Sequence, residues 1–547
     1  MTSIIELHGG KLMVRTIHTT LPLPSWYTHL MPGDCVTSTE PYILIHRTEQ
    51  PALAIVKELH SSQAVLYIAT IRPCSFSPII NHPGLQVGDR LVIWLHSDGS
   101  VTVDRRFTSD EKWDAQCLAD VYGWTPERPS IPSTRKEPLY TRPDRVDQTH
   151  LDTFTIDPLH SVDFDDAISV DVDQNTIYVH IVDMAHAPLA DHEWKQLRER
   201  CFSLYLANER TEHLLDTHHA SNDLSLVVGQ PRSVITVEMK MTDGLVTSYD
   251  IYRAMIRVKT RYTYEEVSDQ FRTHTASFAL MYLLALSRER STDIHYHLYL
   301  PAVRFQVDSN GKINTCQVEE DDESHQVVAT AMILTNVVVS QHLRTHQVLF
   351  PNRFHDTLRG IRPSDSMIRT YHPQVDSFLM VKTYARAHYA IDQRGHFGLN
   401  VTDYVHFTSP MRRYADVLIH RVLAGDRFSH EDLEQEIDWI NQRSTLCKAI
   451  QSLYTTWKIT RYVQQLPLPH QVWVTGVNRG GVLWYMPSFS LNGFAHVSTV
   501  LPKQYWNFTT NTLQGKHHTI QIGNSYHVTH LSINPITYDV LVTIMIS

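Results

Sequence analysis

The sequence predicts an α+β multidomain protein in which a central domain with long helices is flanked by β-barrels. The first observation is length, because 547 residues at about 100–200 residues per domain make three or four domains. The second is composition, since 42% hydrophobic and 19% charged residues are typical of a globular protein and exclude disorder, collagen and coiled coil. The third is a change in hydrophobic period along the chain, from strands to helices and back.

Residues 1–105 are predicted to contain a small antiparallel barrel, because short β-branched and aromatic runs alternate with turn residues. The predicted strands are Tyr42–Ile45, Ala64–Ile71, Arg90–Leu95 and Val101–Val103. Residues 106–150 are predicted to form a helix, Trp113–Tyr122, followed by a linker rich in Pro and Arg, Pro126–Arg145.

Residues 151–465 begin with a hairpin signal, since Ile168–Val172 and Ile177–Val182 alternate around turn residues 173–176. Four stretches then follow a helical period: Phe278–Arg288, Val327–Arg344, Val375–Tyr389 and Leu433–Tyr462. Residues 466–547 start at a Pro-rich linker and return to strands, as in an OB-type barrel. These strands are Val472–Val477, Gly481–Met486, Gly493–Val497, His518–Ile522 and Val540–Ile546.

Composition also excludes several functional classes. The six cysteines are far apart without a CxxC pair, which excludes a zinc ribbon and a disulfide framework. A net charge of -10 argues against a generally basic protein that coats nucleic acid, but it leaves room for a local basic channel. The longest apolar stretch, Phe278–Leu286, is shorter than the ~20 residues of a membrane helix. We expect no membrane segment and a cytoplasmic location, with the nucleus as the alternative.

The strongest local feature is a group of aspartates at the entrance of the predicted hairpin. In an extended segment Asp163 and Asp165 point to one face and Phe164 to the core, and a slight turn brings Asp166 alongside. Together with Asp157 they make four converging carboxylates, which are costly unless cations neutralise them. Oxygen ligands favour hard ions, so Mg²⁺ or Mn²⁺ is expected. The alternatives are a solvated acidic loop and a structural Ca²⁺ site.

A second feature is a predicted helix start at Ser409, with Pro410 at the first helical position. The free amides of such a start bind anions, and Arg412 in the first turn could hold a phosphate through two hydrogen bonds. The alternative is an exposed pair of Arg412 with Asp416 one turn later, worth about 0.3–0.5 kcal/mol.

Other motifs are weak or absent. The sequence has no P-loop and no GxSxG, and its His-Glu pairs lack the second His of a zinc protease helix. A polar stretch holds His213, His218 and His219. We expect a solvated loop there rather than a metal site.

The two main features carry a resemblance to a known family. Residues 155–167, TIDPLHSVDFDDA, resemble the T-I-D-x-x-x-x-x-D-x-D-D-A signature of the RNB family, which includes ribonuclease II, ribonuclease R and the exosome exonuclease. Residues 395–421 resemble a second signature, G-H-F-G-L…H-F-T-S-P-I-R-R-Y…H-R, with Met411 in place of Ile. Shorter matches follow in family order between them, so the resemblance covers residues 140–425.

The resemblance implies a central RNB catalytic domain at 151–465 flanked by OB-type β-barrels. Residues 1–105 would be a cold-shock or OB-like RNA-binding region and residues 466–547 an OB-type RNA-binding barrel. It also implies a hydrolytic 3′-to-5′ exoribonuclease that uses two Mg²⁺ ions and releases 5′-mononucleotides. By motif position, Asp165 and Arg412 would be catalytic. The metal ligands would be Asp157, Asp163, Asp165 and Asp166, and the RNA-binding residues Tyr205, Tyr264, Arg413 and Arg421.

At three positions the roles implied by the resemblance are open or missing. Tyr205 matches the tyrosine that stacks on the terminal base, and the alternative is burial between its leucine neighbours. Where the family has Glu-Glu before M-I-L-A-N, this chain has Ala329-Thr330 before residues 331–336, so a carboxylate implicated in holding the 3′ nucleotide is missing. Tyr299 is the nearest candidate for a second base-clamping aromatic residue.

The expected partner is single-stranded RNA. We expect a monomer, and a larger RNA-decay complex is left open. The rival interpretations are a catalytically silent RNA-binding protein on the same fold and a metal-dependent phosphodiesterase that acts on a small nucleotide.

Overall fold

The structure is a computed structural model. It describes the backbone of residues 2–8, 11–15, 20–22, 35–37, 44–46, 49–61, 63–69, 77–81, 83–108, 111–123, 134–206, 210–291, 302–319, 322–356, 372–392, 395–496, 507–508, 512–514, 519–533 and 540–545.

The described N-terminal residues form two five-stranded sheets. The first contains β1 Thr2–His8, β2 Lys11–Arg15, β3 Thr20–Pro22, β4 Cys35–Thr37 and β5 Leu44–His46, in the order β3-β2-β1-β4-β5. The second contains β6 Gln50–His60, β7 Gln63–Ile68, β8 Ile79–Asn81, β9 Arg90–Leu95 and β10 Val101–Phe107, in the order β10-β9-β6-β7-β8. Three of the four predicted strands lie in the second sheet and the end of the fourth, Tyr42–Ile45, lies in β5 of the first, so the assignment of residues 1–105 as a cold-shock or OB-like region stays a prediction.

Strand β6 was missed because it lacks alternation. Residues 51–56 are all buried, so both faces of this segment are apolar, and a continuous apolar run does not show the period of two that marks a half-exposed strand. The next helix, α1 Asp114–Gly123, confirms the predicted one. Part of the predicted linker is strand instead, β11 Thr134–Arg135 and β12 Arg142–Asp147. The domain boundaries stay predictions.

A six-stranded sheet forms the centre of the protein. Besides β12 it contains β13 Thr153–Asp157, β14 Asp166–Asp171, β15 Thr176–Val182, β18 Pro231–Thr242 and β19 Leu245–Thr263. The order is β12-β19-β13-β14-β15-β18, and β18 also pairs with β19, so the sheet curls back on itself. The pairing of β14 with β15 confirms the predicted hairpin, in which Asn175 takes a φ of 48° at the turn.

Helices and short hairpins surround this sheet. The helices are α2 Asp191–Arg200, α3 Tyr264–Thr273, α4 Phe278–Ser291, α5 Glu323–Thr345, α6 Pro373–Val381, α7 Tyr414–Leu423 and α8 His430–Gln464. The short strands are β16 Leu204–Leu206, β17 Arg210–Glu212, β20 Ala302–Val307, β21 Ile313–Glu319, β22 Asn352–Phe354, β23 His388–Ala390 and β24 Asp426–Arg427. The predicted helices were confirmed except Val375–Tyr389, which ends at Val381 and continues to β23.

Helix α5 is long and apolar enough to span a bilayer by length and composition, which the sequence analysis did not recognise. However, 56% of its most apolar window is buried inside the protein. Its core residues include Val327, Ala331, Leu334 and Val338, in the same hydrophobic cluster as the central sheet. A core helix meets the same criteria as a membrane helix, and the packing of α5 is that of a core helix.

The C-terminal residues form a closed five-stranded barrel. Its strands are β25 His470–Asn478, β26 Gly481–Met486, β27 Leu491–His496, β31 Ser525–Ile533 and β32 Val540–Met545. A separate sheet contains β28 Asn507–Phe508, β29 Thr512–Gln514 and β30 Thr519–Gln521. The predicted strand His518–Ile522 thus lies outside the barrel, and β31 takes its place. Buried residues of α1, α8 and this barrel share one hydrophobic cluster.

Candidate active site

The loop between β13 and β14 brings the predicted aspartates together. Asp157 ends β13 and Asp166 begins β14. The two strands pair with each other only at residues 153–154 and 168–169. Beyond that pairing the strands part, and loop 158–165, which carries the other two aspartates, spans the gap between them.

Ser225 holds this loop in place. Its hydroxyl accepts a hydrogen bond from the Phe164 amide at 3.0 Å and donates one to the Val162 carbonyl at 2.9 Å. Phe164 is 6% exposed and belongs to the main hydrophobic cluster. The residues on either side of it, Asp163 and Asp165, are thereby turned away from the core, as the alternation predicted.

Asp165 joins the two sequence motifs, which are 246 residues apart. Its Oδ1 accepts a hydrogen bond from the Met411 amide at 2.8 Å, and its Oδ2 lies 3.5 Å from Arg412 Nε. Burial raises the pKa of Asp165 to about 8, although the charge of Arg412 and the Met411 amide act in the opposite direction. The structure therefore places a buried carboxylate against an arginine.

Asp157 and Asp166 share this environment. Burial raises the pKa of both carboxyl groups, and the charge of Asp157 adds to the rise at Asp166. Asp157 Oδ2 is buried and has no hydrogen-bond partner. A buried carboxylate oxygen without a partner is costly unless something outside the chain binds it.

Asp163 differs from its neighbours. Its Oδ2 accepts a hydrogen bond from the Tyr205 hydroxyl at 2.9 Å and lies 3.5 Å from His213 Nδ1. Burial alone would raise the pKa of Asp163, but the hydrogen bonds from His213 and Tyr205 outweigh it and lower the pKa. The His213 side chain is 10% exposed, so the expectation of a solvated loop was wrong for His213.

The charges of these carboxylates act on one another, but no three of them offer oxygens that all lie within 4.8 Å of one another, so cation binding here stays a prediction. The solvated acidic loop is wrong, because Asp165 is 4% exposed and an oxygen of Asp157 is buried without a partner. The donors named by sequence are all carboxylate oxygens, which hard cations prefer. A bound cation would also favour the ionised form of the groups whose pKa burial raises.

The predicted helix start at Ser409 was wrong, because helix α7 begins at Tyr414. The Ser409 amide donates to Asp416 Oδ2 at 2.8 Å, and the Tyr414 amide donates to the Cys201 carbonyl at 2.8 Å. The amides of Arg412 and Arg413 both donate to the Ser409 carbonyl. These amides are therefore occupied, and the segment does not form the expected amide site for an anion.

Arg412 remains available. Its side chain is 46% exposed, and its Nη2 donates to Ser409 Oγ at 2.8 Å. The alternative pair of Arg412 with Asp416 is not what the structure shows, because Arg413 Nη2 donates to Asp416 Oδ2 at 2.8 Å instead. An exposed guanidinium held beside buried carboxylates can bind a phosphate oxygen.

Arg413 and Arg421, the two arginines expected to contact RNA, both form ion pairs within the chain. Arg413 is bound to Asp416, and Arg421 Nε donates to Asp426 Oδ2 at 2.7 Å. Their side chains are 19% and 24% exposed. RNA contacts by these two arginines stay predictions, and the visible role of each is to fix the ends of α7.

Tyr205 lies at the centre of β16. Its neighbours Leu204 and Leu206 are buried, whereas Tyr205 itself is 39% exposed. The alternative of ordinary burial is therefore wrong for Tyr205. The hydroxyl of Tyr205 is bound to Asp163 and its side chain is partly open to solvent, so stacking on a base stays a prediction.

Tyr264 begins α3 and stacks on His325, with ring centroids 3.9 Å apart and planes 6° from parallel. His325 Nδ1 lies 3.0 Å from Asp322 Oδ1, and Asp322 is the N-cap of α5. His325 was not predicted from the sequence. The available signal was its position four residues before Ala329, which places both on one face of the helix. Tyr299 lies outside the described residues.

The chain resembles known proteins in sequence and in fold. The RNB domain family matches residues 145–425, more than half of the chain. Ribonuclease R of Chlamydia pneumoniae is 27% identical over 450 residues, which cover 73% of this chain and 65% of that protein. The chain thus spans just under two thirds of that relative's length.

Solved structures show the same fold. Mycoplasma genitalium RNase R in complex with ribose methylated single-stranded RNA superposes with a TM-score of 0.76 at 18% identity, and each chain is fully covered. Yeast Ssd1, described as a pseudonuclease, superposes with a TM-score of 0.68 at 15% identity, over 94% of this chain and 81% of Ssd1. The fold is therefore compatible with an active nuclease and with an inactive one, so the site residues must decide between them.

Proposed function

Because this chain belongs to the RNB domain family, we propose that it is a hydrolytic 3′-to-5′ exoribonuclease that degrades single-stranded RNA to 5′-mononucleotides. One observation carries the proposal: Asp165 contacts the Met411 amide and lies beside the Arg412 guanidinium. This contact joins carboxylates that can hold cations to an arginine that can hold a phosphate. The similarity to ribonuclease R supports RNA as the substrate.

In this proposal Asp157, Asp163, Asp165 and Asp166 hold two Mg²⁺ ions, with Mn²⁺ as the alternative. When bound, the two cations would activate water and stabilise the leaving 3′ oxygen. The hydrogen bonds from Tyr205 and His213 keep Asp163 ionised and oriented. The unpartnered oxygen of Asp157 points to a ligand from outside the chain.

Arg412 supplies the positive charge that the chain itself brings to the phosphate. Its hydrogen bond to Ser409 Oγ and its position 3.5 Å from Asp165 fix the guanidinium before the substrate arrives. A fixed donor lowers the free energy of the transition state because it needs no reorganisation as negative charge develops on the phosphoryl oxygens. Arg412 is therefore assigned to stabilise the pentavalent phosphorane.

Tyr205 and Tyr264 are assigned to the 3′ end of the RNA. Tyr205 would stack on the terminal base, at about 1–3 kcal/mol per stacked base. Because its hydroxyl is bound to Asp163, the position of that base is linked to the position of a metal-binding carboxylate. Tyr264, stacked on His325, would contact the neighbouring nucleotide.

The proposal includes the flanking β-sheets as guides for single-stranded RNA, a property of OB-type barrels. It also includes a monomer in the cytoplasm, with a larger RNA-decay complex as the alternative. Gel filtration with light scattering measures the mass directly, and a mass of two or more chains would exclude the monomer.

The test is incubation of 5′-labelled RNA and DNA oligomers with Mg²⁺, followed by a sizing gel. The proposal predicts an RNA ladder that shortens from the 3′ end and an intact DNA. Asp173→Asn, in the exposed turn of the adjacent hairpin, serves as the matched control and should retain activity, whereas Asp165→Asn should not.

Three other outcomes contradict the proposal. RNA binding without degradation would identify a catalytically silent RNB-fold protein. Hydrolysis of dinucleotides alone would identify a phosphodiesterase for small nucleotides. Equal degradation of DNA and RNA would refute the substrate assignment.

A further inference from the structure

Two histidines and an aspartate meet outside the acidic loop, at a single π-helical turn, His219–Asp223. His218 Nδ1 lies 3.2 Å and His219 Nδ1 2.8 Å from the same oxygen, Asp223 Oδ2. Their ligand atoms all lie within 4.8 Å of one another. Single π-helical turns are rare, and when present they are frequently found at functional sites.

Glu193 orients one of these histidines. His219 Nε2 lies 3.1 Å from Glu193 Oε1, and the other oxygen of Glu193 accepts the Ala190 amide at 2.7 Å. In a neutral ring, a proton on Nε2 leaves a lone pair on Nδ1. A carboxylate bound to the far nitrogen of a histidine is the usual outer partner of a metal ligand, because it fixes the tautomer and the ring.

The near nitrogen lacks a hydrogen bond. His219 Nδ1 is buried and makes none, although Asp223 Oδ2 is 2.8 Å away, so the two atoms are close without the alignment that a hydrogen bond needs. Zinc bonds of about 2.0–2.1 Å at tetrahedral or octahedral angles separate two ligand atoms by about 2.9–3.4 Å. The 2.8 Å between His219 Nδ1 and Asp223 Oδ2 is close to that range, and the 3.2 Å pair of His218 Nδ1 with Asp223 Oδ2 is a hydrogen bond that a bound ion would replace.

We propose that His218, His219 and Asp223 form a second metal site, which binds Zn²⁺. Imidazole nitrogens favour zinc over Mg²⁺, so this site and the acidic loop select different ions. The side chains of His218 and Asp223 are 70% and 42% exposed, which leaves the remaining coordination positions to water. The nearby guanidinium of Arg232 attracts Asp223 and competes with the ion for it.

The zinc site supports the acidic loop from outside. The π-helical turn ends two residues before Ser225, whose hydroxyl binds Phe164 and Val162. Arg232 Nε donates to the Ser225 carbonyl at 2.8 Å, and its Nη2 contacts the Asn222 carbonyl. An ion that fixes 218–223 therefore restrains Ser225, and Ser225 restrains the loop. The three ligands are positioning residues in this inference, which does not rest on the proposed function.

The test titrates the full chain, stripped of metals, with Zn²⁺ in a millimolar excess of Mg²⁺ that occupies the acidic loop. We expect one Zn²⁺ per chain and an increase in Tm on binding. The double variant His218→Ala/His219→Ala should bind Zn²⁺ at least 100-fold more weakly and show no increase in Tm. Glu193→Gln should weaken binding about 10-fold, because it disturbs only the outer partner.

His430→Ala is the matched control. His430 is 63% exposed and lies 4.0 Å from Glu434, but this pair offers only one histidine. Binding to the control should equal that of the wild type. If the double variant does not fold, Asp223→Asn and Glu193→Gln decide, since both preserve side-chain size. The inference is overturned if the wild type binds no stoichiometric Zn²⁺, or if the folded variants bind it as tightly as the control.

Discussion

Two buried acidic regions of this molecule differ in how much positive charge the chain places beside their carboxylates. Asp114, fully buried at the start of α1, is surrounded by Arg90, Lys458 and Arg461. Lys458 Nζ lies 3.3 Å and Arg461 Nη1 2.6 Å from Asp114 Oδ2. In the acidic loop, Arg412 Nε lies 3.5 Å from Asp165 Oδ2, and the charges of Arg261 and Arg413 act on Asp157 and Asp166.

This difference in charge distinguishes a structural role for Asp114 from a binding role for the acidic loop. At Asp114 the chain supplies more cations than the carboxylate needs, and these come from the N-terminal sheet and from α8. This cluster therefore ties the N-terminal region to the central domain. In the acidic loop, burial raises the pKa of Asp157, Asp165 and Asp166, neighbouring carboxylates add to the rise, and cations from outside would stabilise the ionised forms. Buried carboxylates that need cations from outside the chain indicate a binding site, whereas a buried carboxylate surrounded by cations of the chain indicates a structural one.

The largest expected effect is on activity. Asp165→Asn should lower the single-turnover rate of RNA hydrolysis at least 10³-fold, because it removes a charge at the metal site. RNA affinity should stay within a few-fold, since the channel contacts that supply binding remain. Rapid-quench measurements with a parallel filter-binding assay check both. Unchanged turnover would refute the metal assignment.

At Asp114 we expect a loss of stability that Mg²⁺ does not restore. Asp114→Asn should lower the free energy of unfolding by about 3–5 kcal/mol, because it removes the carboxylate charge that Arg90, Lys458 and Arg461 contact, and Mg²⁺ should not restore it. Asp120→Asn is the control. It breaks the pair with Arg105, whose side chain is 53% exposed, and should cost less than about 1 kcal/mol. Urea denaturation measures the free energy of unfolding of both variants. Equal losses in Asp114→Asn and Asp120→Asn would contradict a special structural role for Asp114.

Tyr205 tests the link between the base and the acidic loop. Tyr205→Ala removes the ring and should change the length of the last undegraded oligomer, because short products depend most on stacking. Tyr205→Phe keeps the ring but removes the donor to Asp163, which should raise the pKa of Asp163 and move the acid limb of the pH–rate profile to higher pH. Product ladders of Tyr205→Ala identical to those of the wild type would argue against stacking.

The smallest effect is expected at Ala329. Ala329→Glu should strengthen selection for a free 3′ hydroxyl on ribose, by about 1.5–3 kcal/mol for a charge-assisted hydrogen bond. Nearby acids are engaged, since Asp322 caps α5 and Glu323 Oε1 accepts Arg288 Nε at 2.8 Å. The ratio of kcat/KM between 3′-hydroxyl, 3′-phosphate and 3′-deoxy oligomers measures this. Equal ratios for variant and wild type would mean that the missing carboxylate has no consequence.

The local sequence pattern was sufficient to predict several elements of the fold and two residues of the acidic loop. The alternation around Phe164 placed Asp163 and Asp165 on one face, and the turn at 173–176 predicted the hairpin, because both depend on neighbours within a few residues. The helical period likewise predicted α4, α5 and α8.

Contacts between distant segments could not be predicted in this way. The hydrogen bond from the Met411 amide to Asp165 depends on how two segments meet in three dimensions. The late start of α7 has the same origin, since the amides before it are bound by Asp416 and Cys201. The role of His213 was missed because a histidine in a polar stretch gives no sign that it will face a buried aspartate.

The central claim is that the acidic loop carries negative charge which cations from outside must balance. Because the pKa values of Asp157, Asp165 and Asp166 are raised in the folded state, these three carboxyl groups bind more protons in the folded protein than in the unfolded one. Without metal, their contribution to stability should therefore fall as pH rises from about 4 to about 8, whereas buried histidines whose pKa burial lowers, such as His180 and His420, contribute with the opposite sign.

The most direct test is Tm against pH in that range, with and without Mg²⁺, for the wild type and Asp165→Asn. We predict that Mg²⁺ raises the Tm of the wild type most at pH 8, and that Asp165→Asn is more stable than the wild type there without metal and gains little from Mg²⁺. Equal Mg²⁺ effects in the two proteins, or the same dependence of metal-free Tm on pH in both, would contradict the claim.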